Sequence, residues 1–242
     1  MLEVAVQAQT SAAQTAPVQS DQKVIEVQGL CRYFGSVKAL DNADFSISKG
    51  EFVAIMGPSG SGKTTLLNIL SCLDSPTAGQ YYLDGVEVSQ LEEQKRAVIR
   101  REKIGLVFQQ FHLIPYLSAV ENVMLAQHYH SVPDKAEALQ MLETIGLGDR
   151  ATHLPSQLSG GEQQRVCIAR ALINDCAIIL ADEPTGNLDE ENERLVISLL
   201  KELNAQGRTI AMVTHNPELG MVADRIIKVR YGHIESEGLD DA

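Results

Sequence analysis

The stretch Gly57-Pro-Ser-Gly-Ser-Gly62-Lys63-Thr64 restricts the fold of this chain more sharply than any other feature. The spacing is GxxxxGK followed by a hydroxyl residue. The apolar run Phe52–Met56 precedes it, and a helical pattern with Leu66, Leu67, Ile69 and Leu70 follows. Strand, glycine turn and helix in that order make a phosphate cradle. The glycines let successive backbone N–H groups turn inward, and the helix N-terminus adds the positive end of its dipole. Lys63 brings a mobile cation to the β- and γ-phosphates, and Thr64 offers a hydroxyl to Mg²⁺. With glycine at about 7% per position, chance gives this pattern in a chain of this length on the order of once in a hundred.

The strand before the loop needs partners. Ala177–Ala181 and Thr209–Val213 are continuous apolar runs of the kind buried on both faces of a parallel sheet, and Ile226–Val229 is a later one. Leu195, Val196, Leu199, Leu200 and Leu203 predict one apolar helix face, ended by Gly207. Val24–Val27, Phe45–Ile47 and Tyr81–Leu83, the last followed by an Asp84-Gly85 turn, read as strands nearer the N-terminus. The alternation predicts an α/β fold with a parallel-sheet core. Residues of roughly 89–165 read as a helical insert within it. Ser89-x-x-Glu92, Ser118-x-x-Glu121 and Ser159-x-x-Glu162 have the form of capping boxes, and Asp134-x-x-Glu137 is a looser relative. The helix after Asp134 places Leu139, Leu142 and Ile145 on one face and stops at Gly146.

The run Ile178-Ile-Leu-Ala-Asp182-Glu183 ends a buried strand in two carboxylates, at the carboxyl edge where open α/β sheets bind ligands. Asp182 suits Mg²⁺, directly or through water, and Glu183 is placed to activate the attacking water. A second glycine-containing helix start, Leu158-Ser159-Gly160-Gly161-Glu162, makes a second anion site.

Composition narrows the classes. With 20 Lys and Arg against 32 Asp and Glu, the net charge is −12, which lacks the basic footprint of non-specific nucleic-acid binding. No apolar run reaches the ~18–20 residues of a membrane helix. The first basic residue is Lys23, so residues 1–22 do not read as a signal peptide but as a flexible leader, and 236–242 as an acidic tail. Cys31, Cys72, Cys167 and Cys176 have no paired spacing and read as reduced, mostly buried thiols of a cytosolic protein. His128-x-His130, without a carboxylate or thiol nearby, reads as surface helix, not as a metal site. Arg96, Arg100, Arg101 and Lys103 are either a solvated helix face or a partner surface.

Ser159–Arg165 (SGGEQQR), followed by Ala169-Arg170-Ala171-Leu172, resembles the signature motif of ATP-binding cassette (ABC) ATPases. Further family motifs stand in order. Tyr33 matches the aromatic that stacks on adenine, with Phe34 as the neighbouring candidate. Gln109, within Val107-Phe108-Gln109-Gln110-Phe111, matches the glutamine joining core and helical subdomain. Leu188-Asp189 matches the loop that crosses the dimer interface, and His215 the histidine that senses γ-phosphate. The resemblance spans roughly 23–235 and implies an ABC ATPase domain over 23–235, with a P-loop parallel-sheet core, an N-terminal antiparallel β portion and the inserted helical subdomain.

The resemblance also implies an ATPase that closes head-to-tail with a second copy of itself around two MgATP. Gly57, Pro58, Ser59, Gly60, Ser61, Gly62, Lys63, Thr64 and Thr65 of one chain, with Tyr33, would hold each ATP against Ser159, Gly160 and Gly161 of the other. Thr64, Gln109 and Asp182 would hold Mg²⁺, and Lys63, Gln109, Glu183 and His215 would be catalytic. Ser159, Gly161 and Asp189 would lie in the dimer interface. The Asn68–Asp74, Phe108–Pro115 and Leu180–Asp189 stretches are similar to the MacB/LolD/FtsE group, whose ATPases serve permeases with few membrane helices and a large extracytoplasmic domain, here expected as a separate chain. Expected partners are therefore a membrane permease and, through it, a periplasmic adaptor, with the chain peripheral on the inner face of the cell membrane and no nucleic acid. The competing class, ABC ATPases of DNA repair and chromosome maintenance, carries long coiled coils or zinc modules, and this chain has neither long heptads nor Cys pairs.

Overall fold

A computed structural model describes residues 22–238, with only the backbone at 236–238. The leader and the end of the acidic tail lie outside the described residues. Two 12-residue strands, β1 (Lys23–Phe34) and β2 (Val37–Ser48), open the chain and pair antiparallel. They join β4 (Ala78–Leu83) and β5 (Val86–Glu87) in a four-stranded antiparallel sheet of order β2-β1-β4-β5. The second sheet contains β3 (Phe52–Met56), β6 (Ile104–Val107), β7 (Ile178–Asp182), β8 (Ile210–Val213), β9 (Arg225–Arg230) and β10 (His233–Gly238). Its order is β10-β9-β3-β8-β7-β6. All its pairings are parallel except β9 with β10.

The parallel sheet is apolar on both faces because each face meets its own layer. Phe52, Ala54, Ile179, Ala181, Ile210 and Met212 pack with the helices α3 (Ala119–His130), α4 (Lys135–Thr144), α5 (Gly160–Leu172) and α6 (Glu190–Ala205). The alternate residues Val53, Ile55, Ile178, Leu180, Ala211 and Val213 pack with α1 (Lys63–Leu70) and the antiparallel sheet. The Val, Leu, Ile, Phe and Met side chains among these each contribute about 1.5–3 kcal/mol on burial, which makes the sheet a rigid base for the loops at its carboxyl edge. A short helix, α7 (Pro217–Gly220), precedes β9.

Four expectations need correction. Residues 104–107, placed in the helical insert, form the edge strand β6 of the core sheet. Ser89 caps no helix. Helix α2 (Glu93–Lys103) starts later, and the buried Ser89 hydroxyl instead accepts the Tyr81 N–H at 2.6 Å. Residues 236–238, read as tail, complete β10. Leu195, read as part of the buried face of α6, is half exposed, and Ile197 is buried instead. Ser118 and Ser159 do form capping boxes, and Asp134 caps α4. The four cysteines are buried and free. His128 and His130 are exposed on the last turn of α3.

Candidate functional site

The glycine loop is held in shape by backbone on three sides. A Cβ on Gly57 would fall 2.0 Å from the Val229 carbonyl oxygen, and one on Gly62 2.4 Å from that of Ala39. Gly62 also has φ +111, a conformation other residues avoid. The β9–β10 hairpin clamps the loop from outside, since Gly232 N–H donates to the Ser61 carbonyl at 2.9 Å. Helix α1 then starts at Lys63 with no side-chain cap and no acidic residue in its first turn, so its dipole faces forward uncompensated. Lys63 Nζ donates to the Gly57 and Pro58 carbonyls at 2.7 and 3.0 Å, which stretches it along the loop.

The loop forms one wall of a cleft of about 600 Å³ at the carboxyl edge of the parallel sheet. Ser59, Gly60, Gly62, Lys63, Thr64 and Thr65 line it together with Gln109, Asp182, Glu183 and His215. These come from four strand ends, and the sheet order brings them side by side. Glu183 and His215 follow β7 and β8, and His215 Nδ1 lies 2.7 Å from Glu183 Oε1. Glu183 sits at φ +44, held there by its N–H donating to the Val213 carbonyl at 2.9 Å. Strain of this kind is concentrated at functional positions. Asp182 has its pKa raised, first by burial and then by the neighbouring Glu183 charge, against the pull of Lys63. Two adjacent, partly buried carboxylates beside the Thr64 hydroxyl and the Gln109 amide make a hard oxygen donor set, which fits Mg²⁺.

Gln109 reaches the cleft from the end of β6, and its loop is tied to the segment after β7. Asn187 Nδ2 donates to the Gln109 carbonyl at 2.9 Å. Gly186 leaves room for the Gln109 side chain, because a Cβ there would fall 2.8 Å from Nε2. Gly186 and Asn187 belong to the Leu180–Asp189 stretch, but nothing in the sequence ties them to Gln109, since a Gly-Asn pair reads as a turn.

The remaining residues lie elsewhere. Ser159, Gly160 and Gly161 do not line the cleft. They start α5, where the Ser159 hydroxyl accepts the Glu162 N–H at 3.2 Å and Glu162 accepts the Ser159 N–H at 2.7 Å. That N–H bond is the main reason the Glu162 carboxyl has a lowered pKa. Gly161 faces Asn192, whose Oδ1 would lie 1.9 Å from an added Cβ. Asp189 caps α6 and binds the same Asn192 side chain at 2.9 and 3.0 Å, so the two expected interface segments touch through one asparagine. Tyr33 also stands off the lining. Its hydroxyl donates to Asp41 at 2.6 Å, which pushes the phenol pKa up, and Lys38 lies over its ring. Val37, Lys38 and Ala39, which the sequence did not single out, line the cleft instead. Phe34 is half exposed under the Arg32 guanidinium.

Comparison with known proteins gives a consistent result. The family described as ABC transporter matches residues 40–186. An uncharacterized ABC transporter ATP-binding protein of Methanocaldococcus jannaschii is 50% identical over 218 residues, covering 87% of this chain and 97% of that protein. The macrolide export ATP-binding/permease protein MacB 1/2 of Paracoccus denitrificans is 46% identical over 221 residues, 88% of this chain. The matched segment spans 33% of the length of that longer protein. A solved ATP-binding cassette, a dimer in a post-hydrolysis state bound to ADP and Pi, is 44% identical, with a TM-score of 0.79 over 88% of this chain and 97% of that one.

Proposed function

The chain belongs to the ABC transporter family as an ATP-binding, ATP-hydrolysing cassette close to MacB-type nucleotide-binding domains, and on that premise we propose that it works as a head-to-tail dimer driving a membrane permease. One observation supports the dimer above all. The cleft gathers Lys63, Thr64, Gln109, Asp182, Glu183 and His215, while Ser159-Gly160-Gly161 start a helix that does not line it. A second chain would bring its own Ser159 helix start to that open cleft, where the N–H groups and dipole would meet the γ-phosphate.

In this reading Thr64, Asp182 and Gln109 would hold Mg²⁺, which when bound would supply Lewis-acid charge neutralisation to the triphosphate. Lys63 swings from the Gly57 and Pro58 carbonyls to the phosphates. Glu183 accepts a proton from the attacking water, and His215 orients that carboxylate and contacts the γ-phosphate. Tyr33 supports the adenine from the edge of the cleft. Mixing Ser159→Arg chains with Lys63→Ala chains tests the arrangement, because one site of each mixed dimer is intact. ATPase activity of the mixture should exceed the sum of the separate variants. No gain would contradict the shared site.

Docking of the permease is assigned to the helical side. The cluster Phe111, Leu113, Ile114, Pro115, Tyr116 and Leu117 divides in two. Phe111, Leu113, Ile114 and Leu117 are half-buried packing, whereas Pro115 and Tyr116 project. The fully buried Asn122 fixes this loop by binding the carbonyls of Ile114, Leu117 and Ser118 at 2.9–3.2 Å. Nearby, an apolar groove of about 580 Å³ runs between α2, β6, α3 and α5, with Leu73, Val98, Phe108 and Tyr129 in its walls. Arg100 and Arg101 line it too. Arg100 is held by the Cys72 carbonyl and Glu93, while Arg101 pairs only locally with Glu102 among the contacts seen. A permease helix with an acidic residue fits a groove with this lining. The periplasmic adaptor, if the permease recruits one, would be met only through it.

A further inference from the structure

Helix α5 does more than present Ser159. Gln164, Cys167 and Arg170 follow at intervals of three, which places them on one face. All three bind main-chain carbonyls of the loop that carries Gln109. Gln164 Nε2 donates to Phe108 at 3.2 Å, and the Cys167 thiol to Phe111 at 2.9 Å. Arg170 donates from its two terminal nitrogens to His112 at 2.8 Å and to Phe111 at 3.1 Å. The bonds therefore bracket Gln109 on both sides. They also secure a bend of the loop at which His112 takes φ +47.

We infer that Arg170, with Cys167 and Gln164 beside it, is a positioning residue for Gln109, fixing the loop so that the amide of Gln109 enters the cleft and tying it to the helix that starts at Ser159. The planar guanidinium suits two carbonyls on successive residues, which a lysine ammonium does not span in the same way. Burial pushes the Cys167 thiol up to about 11, so it remains a neutral S–H donor. Arg170 and Phe108 also line the apolar groove, so a partner seated there touches the clamp itself. The inference rests on the assignment of Gln109 to Mg²⁺ and γ-phosphate made above.

Steady-state ATPase of the full chain titrated with Mg²⁺ tests it, beside equilibrium binding of a non-hydrolysable ATP analogue over the same Mg²⁺ range, whose Mg²⁺ dependence should shift with that of the activity. Arg170→Ala should lower kcat about tenfold, the size expected for losing charge-assisted bonds, and raise the Mg²⁺ needed for half activity, with KM for ATP changed less than about twofold. Arg170→Lys should fall between that variant and the wild type. Asn174→Ala removes a bond of 3.1 Å from just past the same helix to the Ala126 carbonyl, and should leave kcat and Mg²⁺ dependence unchanged. Gln109→Ala should reproduce the Arg170→Ala defect, and the double variant should be no worse than Gln109→Ala alone. Wild-type Mg²⁺ dependence in Gln109→Ala would overturn the underlying assignment of Gln109. A defective Gln109→Ala with a normal Arg170→Ala, full additivity of the two, or an equal defect in Asn174→Ala would overturn the clamp. Should Arg170→Ala not fold, Cys167→Ala against Cys167→Ser makes the same comparison, with the serine restoring a donor and activity.

Discussion

The carboxylate of Glu183 and the ring of His215 meet at 2.7 Å, each at the end of one of two adjacent parallel strands. The contact couples the end of β7 to the end of β8 across the open side of the cleft. His215→Ala should therefore lower kcat by about 10²-fold or more, the range of a lost acid–base or orienting partner, while the Kd for ATP stays within a few-fold. Single-turnover hydrolysis beside equilibrium ATP binding separates the two. A proportional loss in both would make His215 a binding residue only.

Asp182 gives a pH signature. Its pKa is raised above the ordinary value of 3.8, chiefly by burial, so the folded protein favours the neutral acid. That contribution is fully present below the unfolded pKa and is lost as pH rises through the raised folded value. Nucleotide-free Asp182→Asn should thus melt higher than wild type at neutral pH, with the gap shrinking as pH falls toward the ordinary carboxyl range. MgATP should reverse the order, raising the Tm of the wild type and not of the variant. Thermal melts over pH 4–8, about the span bracketing that titration, read both effects.

Gly57 and Gly35 differ in why they are glycine. A Cβ on Gly57 meets the Val229 carbonyl at 2.0 Å, whereas one on Gly35 meets nothing within 4 Å and suffers only from its φ of +60. Gly35→Ala should cost about 1–2 kcal/mol. Gly57→Ala should cost more, about 3 kcal/mol, since backbone must move, and should abolish ATP binding as the loop opens. Urea unfolding measures both; equal losses would mean that the loop yields easily.

At the groove, Tyr129→Ala and Arg101→Glu should each weaken co-purification with the permease by about tenfold while leaving the ATPase activity of the isolated chain unchanged. Arg100→Glu is a poorer probe, because its bonds to Cys72 and Glu93 make it part of the fold. Loss of isolated activity with Tyr129→Ala would show that the groove is internal packing.

Much of this was readable from local pattern. The loop at 57–64, the two-faced strands β3, β7 and β8, and the Ser118 and Ser159 caps depend on residues close in sequence. What was missed depends on long-range pairing. Strand β6 is short and falls in the stretch read as a helical insert, because only the Ile104–Ile178 register makes it a strand. Strand β10, His233–Gly238, is mostly polar, as an outer antiparallel edge allows, and so its last three residues read as the start of a tail. Ser89 has the letters of a capping box, yet a buried bond to Tyr81 claims its hydroxyl. In the site, Gln109, Asp182, Glu183 and His215 were named in the sequence at separate places and line one cleft with the loop, whereas Val37, Lys38 and Ala39 line it without a motif of their own. That Asn192 joins Gly161 to Asp189 follows from how α5 packs on α6, which no local pattern shows.

The central claim is that two chains complete each other's ATP site, and sedimentation of Glu183→Gln with MgATP tests it most directly. The substitution keeps the shape and hydrogen bonding of Glu183 while removing its charge and its capacity as a base, so ATP should bind and persist. The account predicts that this variant sediments as a dimer with MgATP and as a monomer without it, and that adding Lys63→Ala or Ser159→Arg to it abolishes the ATP-dependent dimer. A Glu183→Gln chain that binds MgATP yet remains monomeric at all concentrations would contradict it.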